Sequence, residues 1–141
     1  MKALRLLINH DYDFEVLALI SHEKDYKLAW NINKLLNIKF QRDQDLCLEF
    51  GKGNKLIFSN FKYDNEHAGL RLLRNRSYDS QDSKPFLLPE FKEYDYIIKS
   101  EGEKDIFNMK EIAEKLKSLS IIQFIRKIEI HTLKSKENLI F

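Results

Sequence analysis

The stretch from residue 87 to residue 98, Leu-Leu-Pro-Glu-Phe-Lys-Glu-Tyr-Asp-Tyr-Ile-Ile, constrains the fold of this chain more than any other feature. Proline has a fixed φ and lacks an N–H, so Pro89 biases Leu88 toward an extended backbone and suits the first residue of a helical turn. Glu90 follows at a position where the exposed N–H groups of such a turn favour a carboxylate. We therefore predict that a strand ends near Leu88 and a single turn follows it.

A second strand is expected directly after this turn. From Tyr94 the aromatic and apolar residues alternate with the period of a β-strand. This alternation predicts that Tyr94 and Tyr96 share one face of the strand, and that Asp95 points to the other face.

The same stretch resembles the signature of the IPExxxVDY family, uncharacterised bacterial proteins named for the pattern Ile-Pro-Glu-x-x-x-Val-Asp-Tyr. Leu88 stands where the family has Ile, and Tyr94 stands where it has Val. Three further stretches are similar to the same family: residues 21–33, residues 59–77 with Asn75-Arg76-Ser77 at their end, and the tail 133–141. The resemblance implies a small bacterial protein, but it transfers no activity and no site. We expect the signature positions to be structural; they are Leu88, Pro89, Glu90, Tyr94, Asp95 and Tyr96.

The length and composition indicate one folded domain. A chain of 141 residues is long enough to bury a core, and 43% hydrophobic residues with only 4 glycines and 2 prolines argue against wholesale disorder. We expect a single domain over residues 1–141. Residues 76–86 are polar and lack any hydrophobic period, so a mobile loop is expected there.

A cytoplasmic location is expected from the cysteine content and the apolar runs. Cys47 is the single cysteine, so no internal disulfide can form and a reducing compartment fits. The start of the chain lacks a signal-peptide cleavage pattern, and no apolar run approaches the roughly 20 residues that span a bilayer. We expect no membrane partner.

The remaining hydrophobic patterns predict a mixed fold. Residues 14–20 are apolar at nearly every position, as in an interior strand covered on both faces. A helix is predicted to follow, with Ser21 as its cap, and to end near residue 37. A second helix is predicted to begin near residue 105 or at a cap on Asn108.

The other strands are expected in hairpins. A weakly indicated edge strand covers residues 3–8, and residues 45–50 and 56–63 flank the turn chemistry of Gly51-Lys52-Gly53-Asn54. A third arm is predicted at residues 69–75 and a last strand at residues 122–130. The fold class is therefore α+β, with a largely antiparallel sheet of about five to seven strands and two helices packed on one face.

Catalytic and metal chemistry find little support in the residue pattern. Glu90 and Asp95 are the best candidates for an acid/base pair, but structural roles explain both better: Glu90 would accept backbone N–H bonds at the turn, and Asp95 would hold a neighbouring loop. The four histidines are scattered without zinc spacing, and no glycine-rich nucleotide motif is present. The sequence predicts no catalytic residue, no cofactor and no metal site.

RNA binding is the more physical alternative, because aromatic and basic residues interleave on the predicted hairpins. Such surfaces stack bases and contact phosphates. Half of the aromatic side chains must nevertheless face inward in any sheet, and the net charge is only +2. The candidate RNA-binding residues are Phe58, Phe61, Lys62, Arg71, Arg74 and Arg76.

A protein interface is the favoured functional interpretation. Tyr26, Trp30 and Asn33 recur at helical spacing beside the main apolar stripe of the first helix. Core packing is the simpler interpretation of this ridge, since a lone Trp is usually buried, but Trp and Tyr also anchor interfaces. Leu139 and Phe141 in the tail either dock on their own domain or insert into a partner.

These patterns predict a non-enzymatic cytoplasmic interaction or accessory protein whose partner is a protein. An RNA-binding module is the first alternative, and an enzyme built on Glu90 and Asp95 is the second. The oligomeric state is left open by the sequence.

Overall fold

A computed structural model describes residues 14–50, 54–78, 85–103 and 106–141. The edge strand expected at residues 3–8 and most of the loop expected at 76–86 lie outside the described residues. The strands are β1 (Val16–Ile20), β2 (Gln41–Arg42), β3 (Leu46–Phe50), β4 (Asn54–Phe58), β5 (Asn60–Asp64), β6 (Ala68–Arg74), β7 (Tyr96–Gly102) and β8 (Phe124–Ile128). The helices are α1 (Asp25–Leu36) and α2 (Met109–Leu116), with short 3-10 turns at Pro89–Phe91, Ile130–Thr132 and Lys136–Leu139.

The main sheet is antiparallel throughout. It holds 6 strands in the order β2-β5-β6-β7-β1-β8, while β3 and β4 form a separate 2-stranded sheet. The prediction of an α+β fold with a largely antiparallel sheet is confirmed. The single arm predicted over residues 56–63 is wrong, because the chain changes sheets at Ser59 between β4 and β5.

The two faces of the main sheet bury two separate cores. The first core lies under α1 and α2, and Leu17 and Leu19 of β1 point into it. The second core lies under the β3–β4 hairpin and the tail, and Val16 and Ala18 point into it. These four side chains are fully buried, so the prediction of an interior strand covered on both faces is confirmed.

The predicted side-chain cap forms at the start of α2 but not at the start of α1. The side chain of Asn108 accepts a hydrogen bond from the N–H of Glu111 at 3.0 Å, so the predicted cap of α2 is confirmed. The predicted cap at Ser21 is wrong, because α1 begins at Asp25 and Lys24 occupies the cap position. At its other end α1 stops at Asn37, whose φ of 55° is left-handed.

Residues 87–98 fold largely as predicted. Pro89 is the first residue of a 3-10 turn, and Leu88 before it is extended. Two details are wrong. Residues 87 and 88 belong to no strand, and Tyr94 precedes β7 and packs into the second core, whereas Tyr96 packs into the first.

Candidate interaction surface

One buried amide holds the signature stretch together. The side chain of Asn75 donates to the carbonyls of Phe91 and Tyr94, both at 2.9 Å, and accepts from the N–H of Leu88 at 2.8 Å. Its backbone N–H also donates to the carbonyl of Asp95 at 2.8 Å. Asn75 is 0% exposed, so these bonds form away from water, where satisfied polar groups specify one arrangement. Sequence reasoning assigned this residue no role.

Glu90 binds the tail of the chain. Its carboxylate accepts hydrogen bonds from the hydroxyl of Ser135 at 2.6 Å and from the N–H groups of Lys134 and Ser135. Partial burial by itself raises the pKa of Glu90, but the hydrogen bonds from Ser135 and Lys134 outweigh that effect and lower the pKa. Glu90 is therefore an ionised anchor for residues 134 and 135.

Asp95 and Tyr96 hold the segment that leads into α1. Asp95 Oδ2 accepts from the N–H of Ser21 at 2.9 Å, and the Tyr96 hydroxyl donates to the carbonyl of Glu23. Burial, with the nearby charge of Asp25, raises the pKa of Tyr96 and keeps its hydroxyl protonated. Asp95 thus holds a neighbouring segment, and Glu90 accepts hydrogen bonds from the tail, whereas the prediction placed its donors at the turn.

The other three stretches that carry the family resemblance thus contact the signature. Residues 21–33 are held by Asp95 and Tyr96, residues 59–77 by Asn75, and the tail 133–141 by Glu90. Among the described residues no group of three or more His, Cys, Asp or Glu side chains gathers in a way that could hold a metal ion.

The tail docks on its own domain. Leu139 is 0% exposed within the second core, and the Asn138 amide donates to the carbonyl of Leu87 at 2.8 Å. The prediction of Leu139 as a partner contact is wrong for this reason. Phe141 is 45% exposed, and its ring centroid lies 4.3 Å from Lys99 Nζ.

The predicted RNA surface lacks its two aromatic residues. Phe58 is 0% exposed and Phe61 is 6% exposed, and they point into different cores because β4 and β5 belong to different sheets. Arg71 forms ion pairs with Glu101 and Asp43. The two aromatic rings required for base stacking are therefore in the interior, and the prediction of Phe58 and Phe61 as RNA contacts is wrong.

The three remaining basic residues of that set each contact a different partner. Lys62 pairs with Asp64 at 3.3 Å. Arg74 lies 5.9 Å from the ring centroid of Tyr78, and the exposed Arg76 lies 5.9 Å from that of Phe86.

The outward side of α1 presents aromatic rings to solvent. Trp30 is 59% exposed and Tyr26 is 54% exposed, so the expectation of core packing for this ridge is wrong. Lys34 Nζ lies 4.4 Å from the centroid of the Trp30 ring, within the range of a cation–π contact. Together with the exposed Lys27, these residues form what we call the α1 outer face: Tyr26, Lys27, Trp30 and Lys34.

Asn33, the third residue of the predicted ridge, is not part of the α1 outer face. Its amide accepts from the N–H of Phe40 at 2.7 Å and donates to the carbonyl of Phe40 at 3.1 Å. Asn33 is half-buried, so its polar groups are already used to fix the chain that leaves α1.

A polar pocket of about 320 Å³ adjoins the first turn of α1. Its lining residues are His22, Glu23, Lys24, Asp25, Arg74, Tyr78 and Tyr96. Carboxylates and cations both line it, and the Tyr78 hydroxyl lies 3.5 Å from Asp25 Oδ2. The pocket includes Asp25, the first residue of the helix that carries the α1 outer face. Sequence reasoning missed Tyr78, which lies in the polar loop.

Neither α1 nor any other helix in the part of the chain that the structure describes has the length and apolar character needed to cross a membrane. No protein-family model and no curated protein matches this sequence.

Proposed function

We propose that this protein is a non-enzymatic interaction or accessory protein that binds a protein partner through the α1 outer face. The observation that carries the proposal is the exposure of Trp30, which places 59% of the chain's single Trp in water. Exposed large aromatic residues at the centre of a surface are those that most often dominate binding energy in protein interfaces.

The surface is held rigidly, which favours a docking role. Leu28 and Ile32 on the opposite side of α1 are 0% exposed and pack in the first core. The start of the helix is tied to Asp95 and Tyr96 through Ser21 and Glu23. A partner would therefore meet side chains on a fixed backbone, so little conformational entropy is lost on binding.

The charges on this surface favour a protein carrying carboxylates. Lys27 and Lys34 flank the two aromatic rings, so an acidic partner segment complements them. Glu23 and Asp25 in the adjoining pocket would repel the phosphates of RNA. A protein can satisfy both signs of charge at once, whereas a phosphate backbone presents only one.

A cytoplasmic location and membership of the IPExxxVDY family are part of the proposal. Cys47 is an exposed free thiol, a state that a reducing compartment preserves. The family assignment rests on the four family-like stretches of the sequence.

The test is to place a photo-crosslinking amino acid at position 30 in the tagged protein and to irradiate native extract. A matched control carries the same amino acid at position 57, since Ile57 is 38% exposed on β4. A single crosslinked protein that is specific to position 30 and resistant to ribonuclease is the expected result.

The recovered partner is then purified, and its affinity for the wild-type protein is measured by calorimetry. Trp30→Ala is expected to weaken binding by about 30-fold, the effect of losing a hot-spot residue. Equal affinity for wild type and Trp30→Ala, or crosslinks that disappear with ribonuclease, would contradict the proposal.

A further inference from the structure

The sheet ends at β8 with one edge unpaired among the described residues. β8 pairs antiparallel with β1, with Ala18 opposite Arg126. The N–H of Ser100 in β7 bonds to the carbonyl of Glu15 at 2.9 Å, so odd-numbered residues at β1 direct their backbone groups to β7 and even-numbered ones to β8. It follows that Ile125 and Lys127 direct their N–H and C=O groups outward.

The side chains along this edge are unusual for an exposed strand. Phe124 is 53% exposed, and its ring centroid lies 6.3 Å from that of Tyr94. Arg126 lies two residues further along on the same face, with its guanidinium 5.2 Å from the centroid of Phe91. An exposed ring and a cation therefore lie side by side next to backbone groups that no described strand pairs, and such an edge is a template for adding a strand.

We propose that β8 pairs antiparallel with β8 of a second copy of this chain, about a two-fold axis at Ile125. In this register Phe124 lies opposite Arg126 of the second copy, and the symmetry forms the contact twice. Opposed residues of an antiparallel pair lie on the same face about 4.5–5.5 Å apart at Cβ, so each guanidinium can stack on the opposite ring.

Charge disfavours the neighbouring register centred on Arg126. An axis there would place the two copies of Arg126 directly opposite each other. Like charges directly opposite are destabilising. An axis midway between Ile125 and Arg126 is excluded, because the backbone groups of Ile125, which point away from β1, would then face those of Arg126 in the second copy, which point toward its own β1. The Ile125 axis also aligns the outward groups of Ile125 with those of the second copy.

The test compares two substitutions at position 124 by sedimentation over a concentration series. Phe124→Glu and Phe124→Lys both remove the ring and add one charge, but only Glu faces Arg126 of the second copy with the opposite sign. We expect a dimer for the wild-type protein and dimer affinity at least about tenfold weaker for Phe124→Lys than for Phe124→Glu. Because Phe124 is exposed, both variants should fold, which circular dichroism checks.

A third variant tests the backbone pairing itself. Ile125→Pro removes an N–H that points away from β1, a position on an edge strand where proline is tolerated. A folded monomer is the expected result. A monomeric wild-type protein, equal dimer affinity for the two charge variants, or an Ile125→Pro dimer as tight as wild type would each overturn the inference. The inference uses no residue of the α1 outer face, so it stands independently of the proposed function.

Discussion

Replacing Asn75 with Ala should destabilise this protein more than any other polar truncation near the signature. The substitution deletes the amide that bonds Leu88, Phe91 and Tyr94. Asn75 and Leu88 are 0% exposed, so water cannot easily replace the lost partner. The affected segment connects β6 to β7 at the centre of the main sheet.

The magnitude follows from the groups left without a partner. A buried donor or acceptor that loses its hydrogen bond costs about 1–3 kcal/mol, and Asn75→Ala leaves the Leu88 N–H and the Tyr94 carbonyl in that state. The Phe91 carbonyl loses one of two bonds, because it also accepts from the N–H of Tyr94 at 3.0 Å. Even at the lower limit the free energy of unfolding should fall by about 2 kcal/mol. Such a loss is a large part of the roughly 5–15 kcal/mol that stabilises a typical domain.

The assay is urea unfolding followed by far-ultraviolet circular dichroism, comparing free energies where the denaturant slope is unchanged. Asn138→Ala is the matched control, because it deletes the same atoms but only one hydrogen bond, to the carbonyl of Leu87. That control should cost about 1 kcal/mol. The near-isosteric Asn75→Asp should also destabilise strongly, since it turns a carboxylate toward two carbonyls. Equal losses for Asn75→Ala and Asn138→Ala would refute the assignment of Asn75 as the central anchor.

Two further predictions concern the tail. Because the pKa of Glu90 is lowered in the folded protein, its contribution to stability is present above the unfolded pKa of 4.5 and is lost as the pH falls through the folded pKa. In urea unfolding, the stability advantage of the wild-type protein over Glu90→Gln should therefore disappear in acid. An advantage that is unchanged at low pH would contradict this prediction. Leu139→Ala should lower the free energy of unfolding by about 2–5 kcal/mol, because it opens a cavity in the second core. Phe141→Ala should lower it far less in the same assay, because Phe141 is 45% exposed. Similar losses of stability for the two variants would show that the tail is not docked through Leu139.

Much of the local structure could be predicted from the sequence, because it depends on chemistry within a few residues. The fixed φ of Pro89 suits the first residue of the 3-10 turn that it begins, and the side chain of Asn108 caps α2 by accepting from the N–H three residues ahead. The apolar run at residues 14–20 is long enough to require cover on both faces, which β1 receives.

Other features depended on which segments cover each surface. The alternation through residues 56–63 is continuous in sequence, yet the chain switches sheets at Ser59, a choice made by long-range strand pairing. Periodicity also placed Trp30 beside an apolar stripe but could not say whether another element would cover it. In the fold the described neighbours leave it exposed, and the α1 outer face results.

The sequence therefore determined the types and spacing of the residues on the candidate surface, but not their exposure. The types and spacing of Tyr26 and Trp30 were visible from the start, because the helical period sets which residues share a side of α1. Their exposure, the burial of Leu139 and the role of Asn75 were decided only in the tertiary structure. The physical reason is that local patterns determine which side chains point together, whereas burial depends on contacts between residues far apart in the chain.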